Sequence, residues 1–181
     1  NETHAEVKNL NAGIITLGPD SKILMQKDLT VNIKANSSLK IMQLDPLKGN
    51  EFLSMRLTGS NEQRIAGNFY WLSEKPDELA WDKTTWAYTP MKSYTDFTTL
   101  GNLPPTNISI NYKAEDKGSD QIIRISISNP TDKLAFFVSL TLNNENGESI
   151  CPVMWDDNYF SLLPGEKREI NCRVSQNTMA D

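Results

Sequence analysis

Apolar and polar residues alternate through most of this 181-residue chain, and the 3.6-residue repeat of an amphipathic helix is nearly absent. Successive side chains of a β-strand point to opposite faces, so this alternation gives each strand one apolar face. The apolar members of the alternating runs are Leu29, Val31, Ile33 and Ala35; Leu53, Met55 and Leu57; Ile123, Ile125 and Ile127; Val138, Leu140 and Leu142; and Ile170, Cys172 and Val174. We therefore predict an all-β protein.

Turn-forming residues separate these runs, among them Gly18-Pro19, Asn146-Gly147 and Pro164-Gly165. Short strands at such spacing are typical of β-sandwiches. The chain also repeats itself weakly. A strand, a polar turn and a second strand with Asn and paired aromatic residues occur at 52–71 and again at 137–160.

The repeat predicts two immunoglobulin-like antiparallel β-sandwiches in tandem, at 1–102 and 103–181. Between the two copies lies segment 94–105, whose glycine and double proline suit a linker. The second sandwich is shorter than the typical length of about 100 residues, which leaves room for a missing last strand.

Charge and composition exclude several classes of function. The net charge is −5 and the basic residues are scattered among acidic ones, so we predict no nucleic-acid binding. No stretch approaches the roughly 20 apolar residues of a membrane span. His4 is the single histidine, and we expect it near a frayed end, so we predict no histidine-based nucleophile, no metal site and no cofactor.

The two cysteines, Cys151 and Cys172, have two interpretations. If Pro164-Gly165 turns a hairpin, the residue opposite Cys172 is Asp157 or Asn158, so Cys151 must lie on a different strand to reach it. The sequence leaves open both a disulfide and two separate buried thiols.

Several motifs resemble domains of glycoside hydrolase family 2, in particular of exo-β-D-glucosaminidases and β-mannosidases. Segments 68–73, 81–86 and 94–100 resemble the sandwich domain that follows the catalytic barrel in these enzymes. Phe136-Phe137 and segment 152–166 resemble their immunoglobulin-like C-terminal domain. The resemblance leaves the choice between mannosides and glucosaminides open.

The resemblance implies a tail fragment of a larger secreted or periplasmic exo-glycosidase that hydrolyses with retention. The catalytic glutamates of that family lie on a (β/α)₈ barrel, which needs about 250 residues and alternating helices. No catalytic residue therefore transfers to this chain, and we predict that the fragment alone is not an enzyme.

Adjacent carboxylates at Asp156 and Asp157 stand beside the aromatic residues Tyr159 and Phe160. Neighbours in a strand point to opposite faces, so these two cannot straddle one glycosidic bond as an acid and nucleophile pair. We expect Asp157 or Asn158 to bond a turn amide, and Tyr159 or Phe160 to enter the core. The alternative is a loop in which Asp157 and Tyr159 touch the barrel or its substrate.

A second group of candidate contact residues is aromatic: Tyr70, Trp71, Trp81, Trp86 and Tyr88. Because tryptophan is usually highly buried, we expect packing, with Trp71 in the core and Trp81 and Trp86 anchoring a long excursion. A domain interface or stacking on sugar rings are the alternatives.

The leading hypothesis is a non-catalytic pair of domains that packs on the catalytic barrel and shapes its substrate entrance. The alternative is a carbohydrate-binding module that uses exposed Trp and Tyr rings to bind oligosaccharide. A third hypothesis is an interaction module whose exposed edge strands engage a protein partner.

Overall fold

A computed structural model describes residues 1–176 and divides the chain into two compact units, Asn1–Leu103 and Pro104–Asp181. Strands make up nearly all of its regular structure, so the predicted all-β class is confirmed. The named helices are two short 3₁₀ helices, Trp81–Lys83 and Thr98–Asn102. None of the helices within residues 1–176 is long and apolar enough to cross a membrane.

The first unit is built on a four-stranded antiparallel sheet in the order β2-β1-β3-β4. Its strands are β1 Val7–Leu17, β2 Ile23–Ile33, β3 Asn50–Thr58 and β4 Arg64–Ser73. A separate two-stranded ribbon pairs β5 Glu78–Leu79 with β6 Met91–Ser93.

Both faces of this sheet bury apolar side chains. On one face Leu10, Ala12 and Val31 form a core cluster. On the other, Phe52 is 1% exposed and its ring stacks on Phe69 at a centroid distance of 5.7 Å. The predicted alternation holds in β2 and β3. The apolar packing around Phe52 on the second face does not follow from the alternation.

The N-terminal residues are held in place by backbone and side-chain hydrogen bonds. Asn1 Nδ2 donates to the carbonyl oxygens of Ala5 (2.9 Å), Ile33 (3.2 Å) and Lys34 (2.9 Å). His4 is exposed, with its Nδ1 3.3 Å from Asn36 Nδ2. The prediction of a frayed end was therefore wrong, because the Asn1 amide binds carbonyl groups at the end of β2.

The second unit is an antiparallel sandwich in which a four-stranded sheet, β10-β12-β8-β7, shares one core with a two-stranded sheet, β11-β9. Its strands are β7 Ser109–Lys117, β8 Asp120–Ser128, β9 Ala135–Val138, β10 Val153–Trp155, β11 Phe160–Leu162 and β12 Lys167–Ser175.

The core of this sandwich comes from both sheets. Its buried members are Ile123, Ile125, Ile127, Ile170, Cys172 and Val174 from the larger sheet, and Ala135, Phe160 and Leu162 from the smaller one. The alternation predicted for β8 and β12 is confirmed, since their inward residues are 0–7% exposed. Leu140 and Leu142 also pack on this core, although they lie outside the strands.

The turn at Pro164-Gly165 connects two different sheets, because β11 pairs with β9 whereas β12 pairs with β8 and β10. The predicted hairpin was therefore wrong, and the residues opposite Cys172 are Trp155 of β10 and Ile123 of β8. Both cysteines are free thiols, with Cys151 exposed and Cys172 buried.

A buried asparagine at the end of β8 joins the two sheets. Asn129 is 0% exposed, and its Nδ2 donates to the carbonyl oxygens of Lys133 (2.6 Å), Leu162 (3.1 Å) and Leu163 (3.2 Å). Its Oδ1 accepts from the backbone N–H and the hydroxyl of Thr131. One side chain thus satisfies carbonyl groups that a buried turn would otherwise leave unpaired.

We expect Asn129→Asp to lower the free energy of unfolding of the second unit by about 3 kcal/mol or more, because a carboxylate would face three carbonyl oxygens without a donor. Urea unfolding at pH 7, followed by circular dichroism, measures the loss. Asn111→Asp, on the exposed strand β7, is the matched control and should change stability by less than about 0.5 kcal/mol. Equal effects of the two substitutions would contradict the role assigned to Asn129.

The two thiols should differ in reactivity. Burial, with a smaller contribution from the negative charge of Asp156, raises the pKa of the Cys172 thiol. Maleimide should therefore label Cys151 rapidly in the folded chain and Cys172 only after unfolding. The stability that the buried neutral thiol contributes is complete below its unfolded pKa of about 8.5 and decreases as the pH rises above that value. Labelling at pH 7.5 is followed by peptide mass spectrometry. Rapid labelling of both thiols would contradict the predicted difference in reactivity.

Candidate functional site

The candidate site is a loop between β5 and β6, residues 80–90, which we call the aromatic loop. At its base Lys92 Nζ lies 2.8 Å from Glu78 Oε2, and this hydrogen bond lowers the pKa of Glu78 and raises that of Lys92. The Ala80 N–H donates to the Pro90 carbonyl at 2.9 Å. The two ends of the loop are therefore held together.

Hydrogen bonds also order the loop internally. The Thr85 N–H donates to the Tyr88 carbonyl at 2.8 Å, which closes a tight turn with Trp86 at its tip. Behind it, the hydroxyl oxygens of Thr84 and Thr89 lie 3.1 Å apart. The loop thus presents Trp86 from a backbone that its own bonds define.

The aromatic side chains of this loop are exposed. Trp81 is 71%, Trp86 100% and Tyr88 64% exposed, whereas tryptophan is usually highly buried. The prediction that Trp81 and Trp86 pack as anchors was therefore wrong. Backbone hydrogen bonds hold the loop in place, and packing of its indole rings does not.

The other two members of the aromatic group lie on β4. Trp71 is opposite Phe52 of β3, and Tyr70 is opposite Leu53, so the two rings stand on different faces of the sheet. They are 40% and 43% exposed. Trp71 is therefore only partly packed, and it does not enter the core as predicted.

The carboxylates of the second unit bind neighbouring protein groups. Asp156 accepts from the backbone N–H (2.9 Å) and the Nδ2 (2.8 Å) of Asn171. Asp157 forms an ion pair with Arg168 at 2.9 Å, and the Arg168 guanidinium lies 4.6 Å from the centre of the Phe160 ring. This arrangement uses both acids in holding the unit together.

Asn158 makes the polar contact that was expected near this position. Its Oδ1 accepts from the Leu140 N–H at 2.8 Å and its Nδ2 donates to the Leu140 carbonyl at 3.0 Å. Of the two aromatic candidates for the core, Phe160 is buried and Tyr159 is 60% exposed.

Sequence reasoning missed an aromatic pair on the second unit. The rings of Phe137 and Tyr159 lie 5.6 Å apart, and both residues have positive φ, 52° and 56°. That conformation costs about 1–3 kcal/mol for residues other than glycine. It is held by bonds from the Phe137 N–H to Ser161 Oγ and from the Tyr159 N–H to Asn158 Oδ1. No sequence pattern marks such a conformation at an aromatic residue.

Asp156 and Asp157 do not form the acid and nucleophile pair of a glycosidase, because both carboxylates are engaged in structural contacts. Within residues 1–176 no group of three or more His, Cys, Asp or Glu side chains is placed to hold a metal ion. What the site residues offer chemically is aromatic contact surface.

Comparison with known proteins identifies the family. A family model described as the Ig-fold domain of exo-β-D-glucosaminidase matches residues 86–181, more than half of the chain. The match begins within the aromatic loop and covers the whole second unit.

Individual relatives agree with this match. An exo-β-D-glucosaminidase of Hypocrea jecorina is 30% identical over 171 residues, which cover 90% of this chain and 19% of the relative. An exo-β-D-glucosaminidase of Streptomyces avermitilis is 34% identical over 113 residues, or 61% of this chain and 12% of the relative.

The crystal structure of the Amycolatopsis orientalis exo-chitosanase CsxA has the same fold. It matches 99% of this chain and 22% of its own chain, with a TM-score of 0.86 and 23% identity. The present chain thus spans about a fifth of the length of the Hypocrea jecorina relative and of CsxA. From the family match, the chain belongs to the family of the exo-β-D-glucosaminidase Ig-fold domain.

Proposed function

We propose that this chain is a non-catalytic accessory region of a larger exo-glycosidase that acts on glucosaminides rather than mannosides. The names of the relatives support the choice of substrate, and their lengths support the existence of further domains. In this proposal the catalytic carboxylates lie on a barrel outside these 181 residues, and the enzyme works in the periplasm or outside the cell, as the family resemblance implies.

The exposure of the aromatic loop is the observation that carries the proposal. Tryptophan and tyrosine are enriched at the centres of protein interfaces, where a few such residues supply most of the binding energy. The loop holds Trp81, Trp86 and Tyr88 outward on a backbone that is already ordered, so little conformational entropy is lost when a partner covers them. We infer that the loop packs on the catalytic barrel and helps to form its substrate entrance.

We expect the double substitution Trp81→Ala with Trp86→Ala, made in the full-length glycosidase, to lower kcat/KM for a chromogenic glucosaminide about 10-fold or more. Loss of two interface anchors would cost more than about 1 kcal/mol each and would loosen the substrate entrance. Tyr94→Ala is the matched control, since Tyr94 is 79% exposed in the same unit but lies outside the loop. The control should leave kcat/KM within 2-fold.

Two results would count against this proposal. Unchanged kcat/KM together with an unchanged melting temperature would show that the loop has no role beside the barrel. Retained activity on the small chromogenic substrate, combined with lost retention on insoluble chitosan, would favour the carbohydrate-binding function instead.

A further inference from the structure

Strand β7 has an apolar side that continues the core face of its sheet. Register places Ile110 opposite Ile127, Tyr112 opposite Ile125 and Ala114 opposite Ile123. Residues directly opposite in an antiparallel pair project from the same face, so Ile110, Tyr112 and Ala114 point to the core side. We call these three residues the β7 strip.

The β7 strip is uncovered although its partners are buried. Ile110 is 48% and Tyr112 72% exposed, whereas Ile127 is 0% and Ile125 is 7% exposed. The strip is exposed because the two sheets of the sandwich differ in width. The two strands of the smaller sheet pack on β8 and β12 and do not reach β7.

The backbone of β7 is also open. It is the last strand in the order β10-β12-β8-β7, so the N–H and C=O groups on its outer side have no ladder partner among the described strands. The charged residues Lys113 and Glu115 point to the opposite face, where Glu115 pairs with Arg124 at 3.1 Å. On the side of the strip the charged residue of β7 is Asp116, near the end of the strand, and it accepts a hydrogen bond from Gln121 Nε2 at 3.0 Å. The open edge beside the uncharged positions 110, 112 and 114 invites pairing with another segment.

We propose that an extended segment of the parent glycosidase, from outside these 181 residues, covers the β7 strip and pairs with the free edge of β7. This inference rests on the proposed function, because it assumes a larger enzyme. About four-fifths of the length of the relatives lies outside the matched region, and this length supplies the segment.

The size of the strip favours a segment of the same chain over a second copy. A stable dimer buries about 800 Å² per partner, whereas an aromatic side chain buries about 150–250 Å². The strip has one aromatic, one isoleucine and one alanine. A tethered segment needs less area, because its high effective concentration reduces the entropic cost of association.

Thiol accessibility tests this placement. Ile110→Cys, Asn111→Cys and Tyr112→Cys are made separately in the full-length glycosidase and labelled with N-ethylmaleimide, and peptide mass spectrometry gives each rate relative to the urea-unfolded enzyme. Asn111 is the matched control because it neighbours the strip but points to the other face. Retained glycosidase activity verifies that each variant is folded, and Ile110→Cys carries the test if Tyr112→Cys is inactive.

The proposal expects Cys at positions 110 and 112 to react at least 10-fold more slowly than Cys at position 111. Similar rates at all three positions would overturn it. Slow labelling at 110 and 112 that is lost on dilution, together with a dimer in sedimentation, would also overturn it by identifying a second copy as the occupant. Since the aromatic loop is not altered, these outcomes are separate from those of the tryptophan substitutions.

Discussion

The need to cover the apolar faces of the sheets determines most of this structure. Apolar side chains on a sheet face are costly to leave in water, and burying one large aliphatic side chain is worth about 1.5–3 kcal/mol. In the second unit, β9 and β11 cover Ile127 and Ile170, which are 0% and 2% exposed. The same two strands are too few to cover β7. Among the described residues, the facing sheet has only two strands. This explains both the complete core under β8 and β12 and the exposure of the β7 strip.

Polar groups in the second unit follow the corresponding rule for hydrogen bonds. Asn129 satisfies the carbonyl groups where the chain crosses from one sheet to the other, and Asn158 does the same for Leu140. Asp156 and Asp157 bind Asn171 and Arg168. A segment rich in acids and aromatic residues, which resembles a sugar-cleaving site in composition, thus consists of structural contacts apart from the exposed Tyr159. Composition alone does not distinguish these uses, because the same carboxylate can serve either one.

The exposed aromatic residues give the proposed function its physical basis. In the first unit the aromatic loop presents Trp86 from an ordered turn, and in the second unit Tyr112 and the Phe137–Tyr159 pair lie at the surface. Leaving several large rings in water is unfavourable for an isolated domain, and large exposed apolar surfaces mark interaction sites. An accessory region whose surface is completed by a larger enzyme accounts for all three groups, whereas a sugar-binding role accounts for the loop alone.

The sequence by itself determined the all-β class, the apolar faces of β8 and β12, and the turns between strands, because alternation and turn chemistry are local properties. It also supplied the family, through the aromatic motifs. Only the tertiary structure decided that Pro164-Gly165 crosses between sheets, that Cys151 is exposed, and that Trp81 and Trp86 face outward. Alternation states which side of a strand is apolar, but the number of strands on the facing sheet decides whether that side is covered. A loop has no two-residue alternation of apolar and polar side chains. The direction of an indole ring there depends on backbone hydrogen bonds that the alternation does not predict.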